Sequence, residues 1–254
     1  MSSHNSLQSL SLGQFADRFR QEMIPLGNRF CYFCAAVSLS EDDRREYLEE
    51  PVAALPPRLA AALPKVQIVL VPYLDKGGGK VSRGRPADLM ITGEKPIEDR
   101  LTSSGAVVTA NEVLLAFAVK DTEVADYHSR FYRAIAEVMA DHVAETEMSR
   151  YAGLLQEELS AGIHGEVDEA SWRAKQAISR RSAGRGDSKR FREYARTSFV
   201  DTMTLYLHGI CCDIDVETGP RQLPSRPLRQ RLELFRELYA PPEGYGVFPD
   251  ENGA

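Results

Sequence analysis

The sequence predicts an α+β fold, in which a small mixed or antiparallel sheet over about residues 65–120 packs against a helical C-terminal half. Apolar residues in the middle of the chain come in short runs, as in strands. From residue 121 onward they recur every three or four positions, as in amphipathic helices. With 254 residues the chain is long enough to bury a sizeable core.

Four segments follow from this change of period. We expect a helical segment over residues 1–63, a β-rich segment over 64–120, a helical segment over 121–240 and a loosely attached tail over 241–254. All four belong to one globular domain in this interpretation.

Residues 12–60 are expected to be mainly helical. Phe15, Phe19 and Met23 follow helical spacing, and Ser40 with Asp43 has the pattern of an N-cap followed by an acidic first turn. Strands are expected at residues 66–74, 88–92, 107–108 and 112–119. The last of these is apolar on both faces, so it should be a central strand.

The C-terminal half should contain five helices. They are expected at residues 122–145, 147–161, after the N-cap residue Asp168, at 188–212 and at 228–238. In the first of them, His128 and His142 fall on the apolar seam, so both histidines are expected to be buried.

Composition excludes several classes of protein. No apolar run reaches the roughly 20 residues that cross a bilayer. The first residues lack the basic flank and apolar core of a signal peptide. Four cysteines are too few for a disulfide scaffold in so long a chain, so we expect reduced thiols and a cytoplasmic protein without a membrane partner.

A polar stripe on the predicted helix 188–212 is the first candidate site. Its members are separated by three or four residues and share one helix face: Glu193, Thr197, Asp201, Thr204, His208 and Cys212. The candidate catalytic groups are Glu166, Glu193 and Asp201. Because zinc binds nitrogen, sulfur and carboxylate ligands, the candidate metal ligands are His128, His164, His208 and Glu193, and zinc is the expected cofactor if a metal binds.

The order of these elements resembles that of the zincin metallopeptidases. In that family one helix carries His-Glu-x-x-His and a later helix supplies a glutamate ligand; residues 191–195, Phe-Arg-Glu-Tyr-Ala, resemble the later helix. Residues 127–132 read Tyr-His-Ser-Arg-Phe-Tyr and lack both the glutamate base and the second histidine. The resemblance therefore implies a metal-dependent hydrolase scaffold in which metal-bound water has no obvious proton acceptor.

A basic segment is the second candidate site. Residues 173–196 hold nine basic and two acidic side chains, although the whole chain has a net charge of −6. The candidate anion-binding residues are Arg180, Arg181, Arg185, Lys189 and Arg190. A solvated helix face is the simpler interpretation of such a run.

Three functional hypotheses follow. The first is a non-enzymatic interaction or regulatory protein with a protein partner. The second is a metal-dependent hydrolase on the zincin-like scaffold. The third is binding of an anion or nucleic acid through residues 180–196, which the net charge of the chain does not favour.

Overall fold

The fold is α+β, as the sequence predicts. The structure, a computed structural model, describes residues 10–77, 89–109, 111–178, 188–212 and 221–246. The chain forms two compact units, one of residues 1–52 with 63–130 and the other of residues 53–62 with 131–254. None of the helices in the described ranges is both long and apolar enough to cross a membrane.

The first unit contains two sheets. The larger has the order β1 (Ile24–Pro25), β2 (Phe30–Cys34), β3 (Lys65–Val71), β8 (Glu112–Ala118) and β7 (Ser104–Val108). Strands β2, β3 and β8 are parallel, and the two outer strands are antiparallel to their neighbours. The smaller sheet has β4 (Tyr73–Asp75) between β5 (Met90–Thr92) and β6 (Leu101–Thr102).

Alternation along the strands divides the core of this unit between the two faces of the larger sheet. On one face, Val69 and Ala116 pack with Phe15 of α1 (Leu12–Phe19). On the other, the Phe117 ring lies 5.2 Å from that of Tyr127. Strand β8 is buried on both faces and lies between two strands, which confirms the prediction of a central strand.

The N-terminal segment is less helical than predicted. Helix α1 is followed by β1 and β2, and the next helical residues are α2 (Glu41–Arg44), a π-helical turn at Arg45–Glu49, α3 (Glu50–Ala53) and α4 (Pro57–Ala62). The prediction of a mainly helical 12–60 was therefore wrong at residues 24–34. Residues 30–34 are Phe-Cys-Tyr-Phe-Cys, and aromatic side chains favour a half-buried sheet surface. The capping box at Ser40 and Asp43 is confirmed.

The second unit is helical. Helix α5 (Val124–His142) begins in the first unit and continues into the second, where it is followed by α6 (Glu145–Ser160), α7 (Glu169–Gln176), α8 (Lys189–Cys211) and α9 (Ser225–Leu238). Asp168 caps α7 as predicted. The rings of Tyr151, Phe199 and Phe235 form the centre of the core, with centroids 5.1–5.5 Å apart.

Candidate functional site

The helical unit buries an ionic network that the sequence did not reveal. Arg231 of α9 is fully buried and donates hydrogen bonds to the carboxylates of Glu158, on α6, and Glu166. Lys175 donates to Glu166 at 3.2 Å, and the Tyr194 hydroxyl donates to the same carboxylate. Every charge in the cluster therefore has a partner of opposite sign, as buried charges require.

This network gives the catalytic candidate Glu166 a structural environment. Burial opposes its negative charge, but the hydrogen bonds and charges of Arg231 and Lys175 outweigh burial and lower the pKa of Glu166 below its ordinary value. Its main chain also pairs with residues 221 and 223. A carboxylate kept ionised by four side-chain donors is a weak base. The contacts of Glu166 are those of a residue that joins helices.

The polar stripe on α8 is neither wholly buried nor wholly solvated. Glu193 is exposed, whereas Asp201 is only 2% exposed. Asp201 accepts hydrogen bonds from the Ser171 amide at 2.9 Å and from Arg133 at 3.1 Å. Burial nevertheless raises the pKa of Asp201. These hydrogen bonds connect the start of α7 to α8, so the contacts of Asp201, like those of Glu166, are those of a structural residue.

The candidate metal ligands lie in different surroundings. His164 is exposed and His208 is half-buried, with its ring 5.9 Å from that of Tyr132. His128 is buried as predicted, and its Nε2 lies 2.8 Å from the Glu46 carbonyl oxygen. His142, in contrast, is exposed at the end of α5, so the prediction that it is buried was wrong.

The second unit does not gather these groups into a ligand set. Within it, no three described histidine, cysteine or carboxylate side chains bring ligand atoms within 4.8 Å of one another. Glu166 and Glu193 differ in burial, since Glu166 is 1% exposed and Glu193 lies on the surface. Zinc binding through His128, His164, His208 and Glu193 stays a prediction, which elemental analysis of the purified protein tests.

The basic segment is described only in part. Arg180, Arg181 and Arg185 lie outside the described residues. Lys189 and Arg190 are exposed in the first turn of α8, and Arg190 donates to the Ala177 carbonyl oxygen at 3.0 Å. Anion binding by these five residues likewise stays a prediction.

A polar cavity of about 480 Å³ lies in the first unit, at the carboxyl ends of two parallel strands. It is lined by Tyr73, just after β3, by Ala118 and the next residues after β8, and by the first turns of α5. Main-chain hydrogen bonds from Val119 and Lys120 to residues 71 and 72 hold the two strand ends together. Ligands of open α/β sheets bind at this edge, where loops and helix N-termini converge.

The charges around the polar cavity are unevenly paired. Lys95, Lys120 and Arg130 face Asp121 and Asp126, so cations outnumber anions here although the whole chain is acidic. Lys120 stands over the Tyr73 ring at 5.4 Å, and Arg130 donates its Nε–H to the Asp126 carbonyl oxygen at 2.8 Å. Across the described ranges, neither Lys120 nor Arg130 has a carboxylate within 4 Å, although the charge of Asp121 acts on Lys120 and that of Asp126 on Arg130. Burial lowers the pKa of Arg130, which still leaves a guanidinium charged at neutral pH.

Asp121 binds two of the other side chains that line the cavity. Its carboxylate accepts hydrogen bonds from the Tyr73 hydroxyl at 2.8 Å and from Lys95 at 3.2 Å. Hydrogen bonds from Tyr73 and Lys95 lower the pKa of Asp121, so this group is ionised and already partnered at neutral pH. Its backbone has φ 58°, a left-handed conformation that aspartate tolerates better than most residues and that turns the chain from β8 into α5.

The lining of α5 adds donors to the same space. Thr122, just before α5, lines the cavity together with Asp126, Ser129 and Arg130 of the helix; Ser129 and Arg130 follow Asp126 by three and four residues and so share its face. The amide groups in the first turn of a helix have no intrahelical partner and favour an anion. Asp126 in that turn offsets part of this effect. The two cations, the hydroxyls and the helix start together fit an oxyanion.

Comparison with known proteins adds no relative to this picture. No protein-family model, curated protein or solved structure matches the chain.

None of the cavity residues was among the candidates taken from the sequence. A signal was present, because residues 120–122, Lys-Asp-Thr, stand between the predicted strand 112–119 and the predicted helix that starts at 122. A strand-to-helix junction at the carboxyl end of a buried strand is a common ligand position. The parallel pairing of β3 with β8 was needed to bring Tyr73 and Lys95 to the same junction.

Proposed function

We propose that the protein is a non-enzymatic binding or regulatory protein whose first unit binds a small ligand with a phosphate or carboxylate group in the polar cavity. The observation that carries this proposal is the pair Lys120 and Arg130, which line one cavity and have no carboxylate within 4 Å among the described residues. Most other cations described in this unit, such as Arg20 and Arg100, have an ion-pair partner.

Binding fits the cavity better than proton-transfer chemistry. A general base works best with a pKa near the operating pH. The only carboxylates among the described lining residues are those of Asp121, whose pKa is lowered by Tyr73 and Lys95, and Asp126, which is exposed. The proposed role of Asp121 is therefore to orient Lys95 and Tyr73 around the ligand.

Titration with inorganic phosphate tests the proposal. Chemical-shift changes in the amide NMR spectrum should concentrate at Ser103, Thr122 and Ser129, which line the cavity. Replacing Lys120 or Arg130 with methionine should weaken phosphate binding about tenfold or more, because a charge-assisted hydrogen bond contributes about 1.5–3 kcal/mol. Affinity should also fall as salt is added.

A matched control separates the cavity from general charge. Lys65 is exposed at the amino end of β3, whereas the polar cavity lies at the carboxyl end of that strand. Lys65→Met removes the same charge from the unit and should leave phosphate binding unchanged. Equal loss in Lys65→Met, or wild-type affinity in both Lys120→Met and Arg130→Met, would reject the site. Thermal melting of each variant establishes that it is folded.

A further inference from the structure

A second cavity, of about 410 Å³, lies at the same edge of the sheet and differs in chemistry from the polar cavity. Its walls are mostly apolar side chains from the loop after β2, the π-helical turn and the strand ends: Val37, Leu39, Tyr47, Pro72 and Val119. The charged side chains among its described lining residues are Asp43 and Lys120. Asp43 is engaged in the capping box, where it accepts from Ser40.

The apolar cavity adjoins the polar one. Three chain segments contribute to both, through Pro72 and Tyr73, through residues 93 and 95, and through Lys120, which lines the two cavities itself. The charge of Arg130, in the polar cavity, also acts on the Tyr47 hydroxyl: burial raises the pKa of Tyr47, and Arg130 opposes that rise. The cations of one cavity therefore lie next to the apolar wall of the other.

Tyr47 lines the apolar cavity and offers a hydroxyl donor to a ligand there. The residue is 9% exposed, and its ring packs on Tyr127 with centroids 4.9 Å apart. Among the described residues its hydroxyl has no hydrogen-bond partner, although it lines the cavity. The hydroxyl oxygen retains contact with solvent, and a ligand group in the cavity would accept its proton. The π-helical turn that presents Tyr47 is a feature often found at functional sites.

We infer that one amphipathic ligand spans both cavities, with its phosphate or carboxylate at Lys120 and Arg130 and its aryl or short alkyl group against Val37, Leu39 and Tyr47. The inference rests on the proposed function, because it names the class of ligand that the polar cavity takes. Lys120 is central to this arrangement, because it is the described cation that lines both cavities and would contact both parts of the ligand.

Calorimetric titration with two probes tests the inference. Inorganic phosphate reports on the polar cavity alone, whereas phenyl phosphate adds an apolar ring to the same charged group. Burial of that ring should make phenyl phosphate bind about tenfold tighter or more. Both probes should lose affinity in Lys120→Met and keep it in Lys65→Met.

Gly93→Phe isolates the apolar cavity. Gly93 lines it, its φ is not in the left-handed range, and an added Cβ would meet no atom within 4 Å. A phenylalanine there has room to occupy the space of the ligand ring. The variant should lose the tenfold advantage of phenyl phosphate and bind inorganic phosphate as the wild type does. Gly153→Phe, a glycine of α6 with equally open space, is the matched control and should change neither affinity.

The outcomes are distinct. A phenyl advantage that Gly93→Phe removes supports the inference, and Val37→Asn, from a different wall, should reduce the same advantage if Gly93→Phe does not fold. Phosphate binding that depends on Lys120 without any phenyl advantage overturns the inference and leaves the proposed function standing. A phenyl advantage that survives both Gly93→Phe and Val37→Asn also overturns it. If neither probe binds, both the inference and the proposed function are overturned.

Discussion

Replacing Arg231 with methionine should destabilise the helical unit by about 4 kcal/mol at neutral pH, because breaking a buried ion pair from one side costs about 3–5 kcal/mol. Arg231 is fully buried and makes four hydrogen bonds to the carboxylates of Glu158 and Glu166, and a fifth to Ser198. Methionine retains much of the apolar stem but no charge. Glu166 keeps Lys175 at 3.2 Å, so Glu158 bears most of the loss.

The loss should depend on pH with a defined sign. In the wild type the pKa of Glu166 is lowered from its ordinary value of 4.5, so its contribution to stability is present above that value and is lost as the pH falls. Without Arg231, the pKa of Glu166 should rise from its lowered value, because burial then meets less opposition. Ionised Glu166 then contributes less stability at neutral pH, and this difference from the wild type disappears as the pH falls and the carboxylate is protonated. The difference between wild type and variant should therefore shrink on acidification.

Urea unfolding at about pH 7 and about pH 5 measures both effects. The chain has one tryptophan, Trp172 in α7, so its fluorescence reports on the unit that contains Arg231. Arg226→Met is the same change at an exposed position of α9 and should alter stability by at most about 0.5 kcal/mol. A cost below about 1 kcal/mol for Arg231→Met would refute the conclusion that this buried ionic network stabilises the helical unit. A difference in stability between wild type and variant that grows at the lower pH would refute it as well.

Three further changes address other contacts of the same unit. Gly165→Ala should cost more than about 2 kcal/mol of stability, because its φ is 82° and the new Cβ would lie 2.1 Å from a backbone oxygen. Gly162→Ala, where φ is 69° and the space is open, should cost about 1 kcal/mol. Equal losses of stability in urea unfolding would contradict the steric argument. Tyr151→Phe should cost about 1–2 kcal/mol, since its buried hydroxyl meets two hydroxyls of α8 at 2.8 and 3.0 Å, and a change in phosphate affinity at equal stability would count against a structural role. Asp201→Asn should gain stability relative to the wild type as the pH rises from about 4 to about 7. The reason is that burial raises the pKa of Asp201, so that its ionisation opposes folding. The opposite trend in urea unfolding would mean that the hydrogen-bond donors of Asp201 outweigh burial.

Local sequence signals predicted the helical elements well. The N-caps at Ser40 and Asp168 depend on residues one to three positions away, and both are confirmed. The central position of β8 was also predictable, because a strand apolar on both faces must be covered on both. The error at residues 24–34 arose because a short aromatic run has no periodicity that separates a strand from a helix.

Candidate sites were less predictable, because charge pairing depends on residues far apart in the chain. Helical spacing placed Glu193, Asp201 and His208 on one face of α8, but it did not show that the neighbouring face, with Tyr194 and Ser198, holds the polar contacts of Glu166 and Arg231. Those contacts join residues 28 and 33 positions apart. No local pattern encodes which buried carboxylate an arginine will meet.

The sequence by itself determined the class of the fold, the positions of most helices and strands, and the junction at residues 120–122, because propensity, capping and hydrophobic period act over a few neighbouring residues. Only the tertiary structure decided that β2, β3 and β8 run parallel, which places Tyr73, Lys120 and Arg130 around one cavity. It also decided which charges are paired: the buried carboxylates of the helical unit have basic partners, and Lys120 and Arg130 have no carboxylate within 4 Å among the described residues. Pairing depends on distances in space, and a linear chain fixes those distances only when it folds.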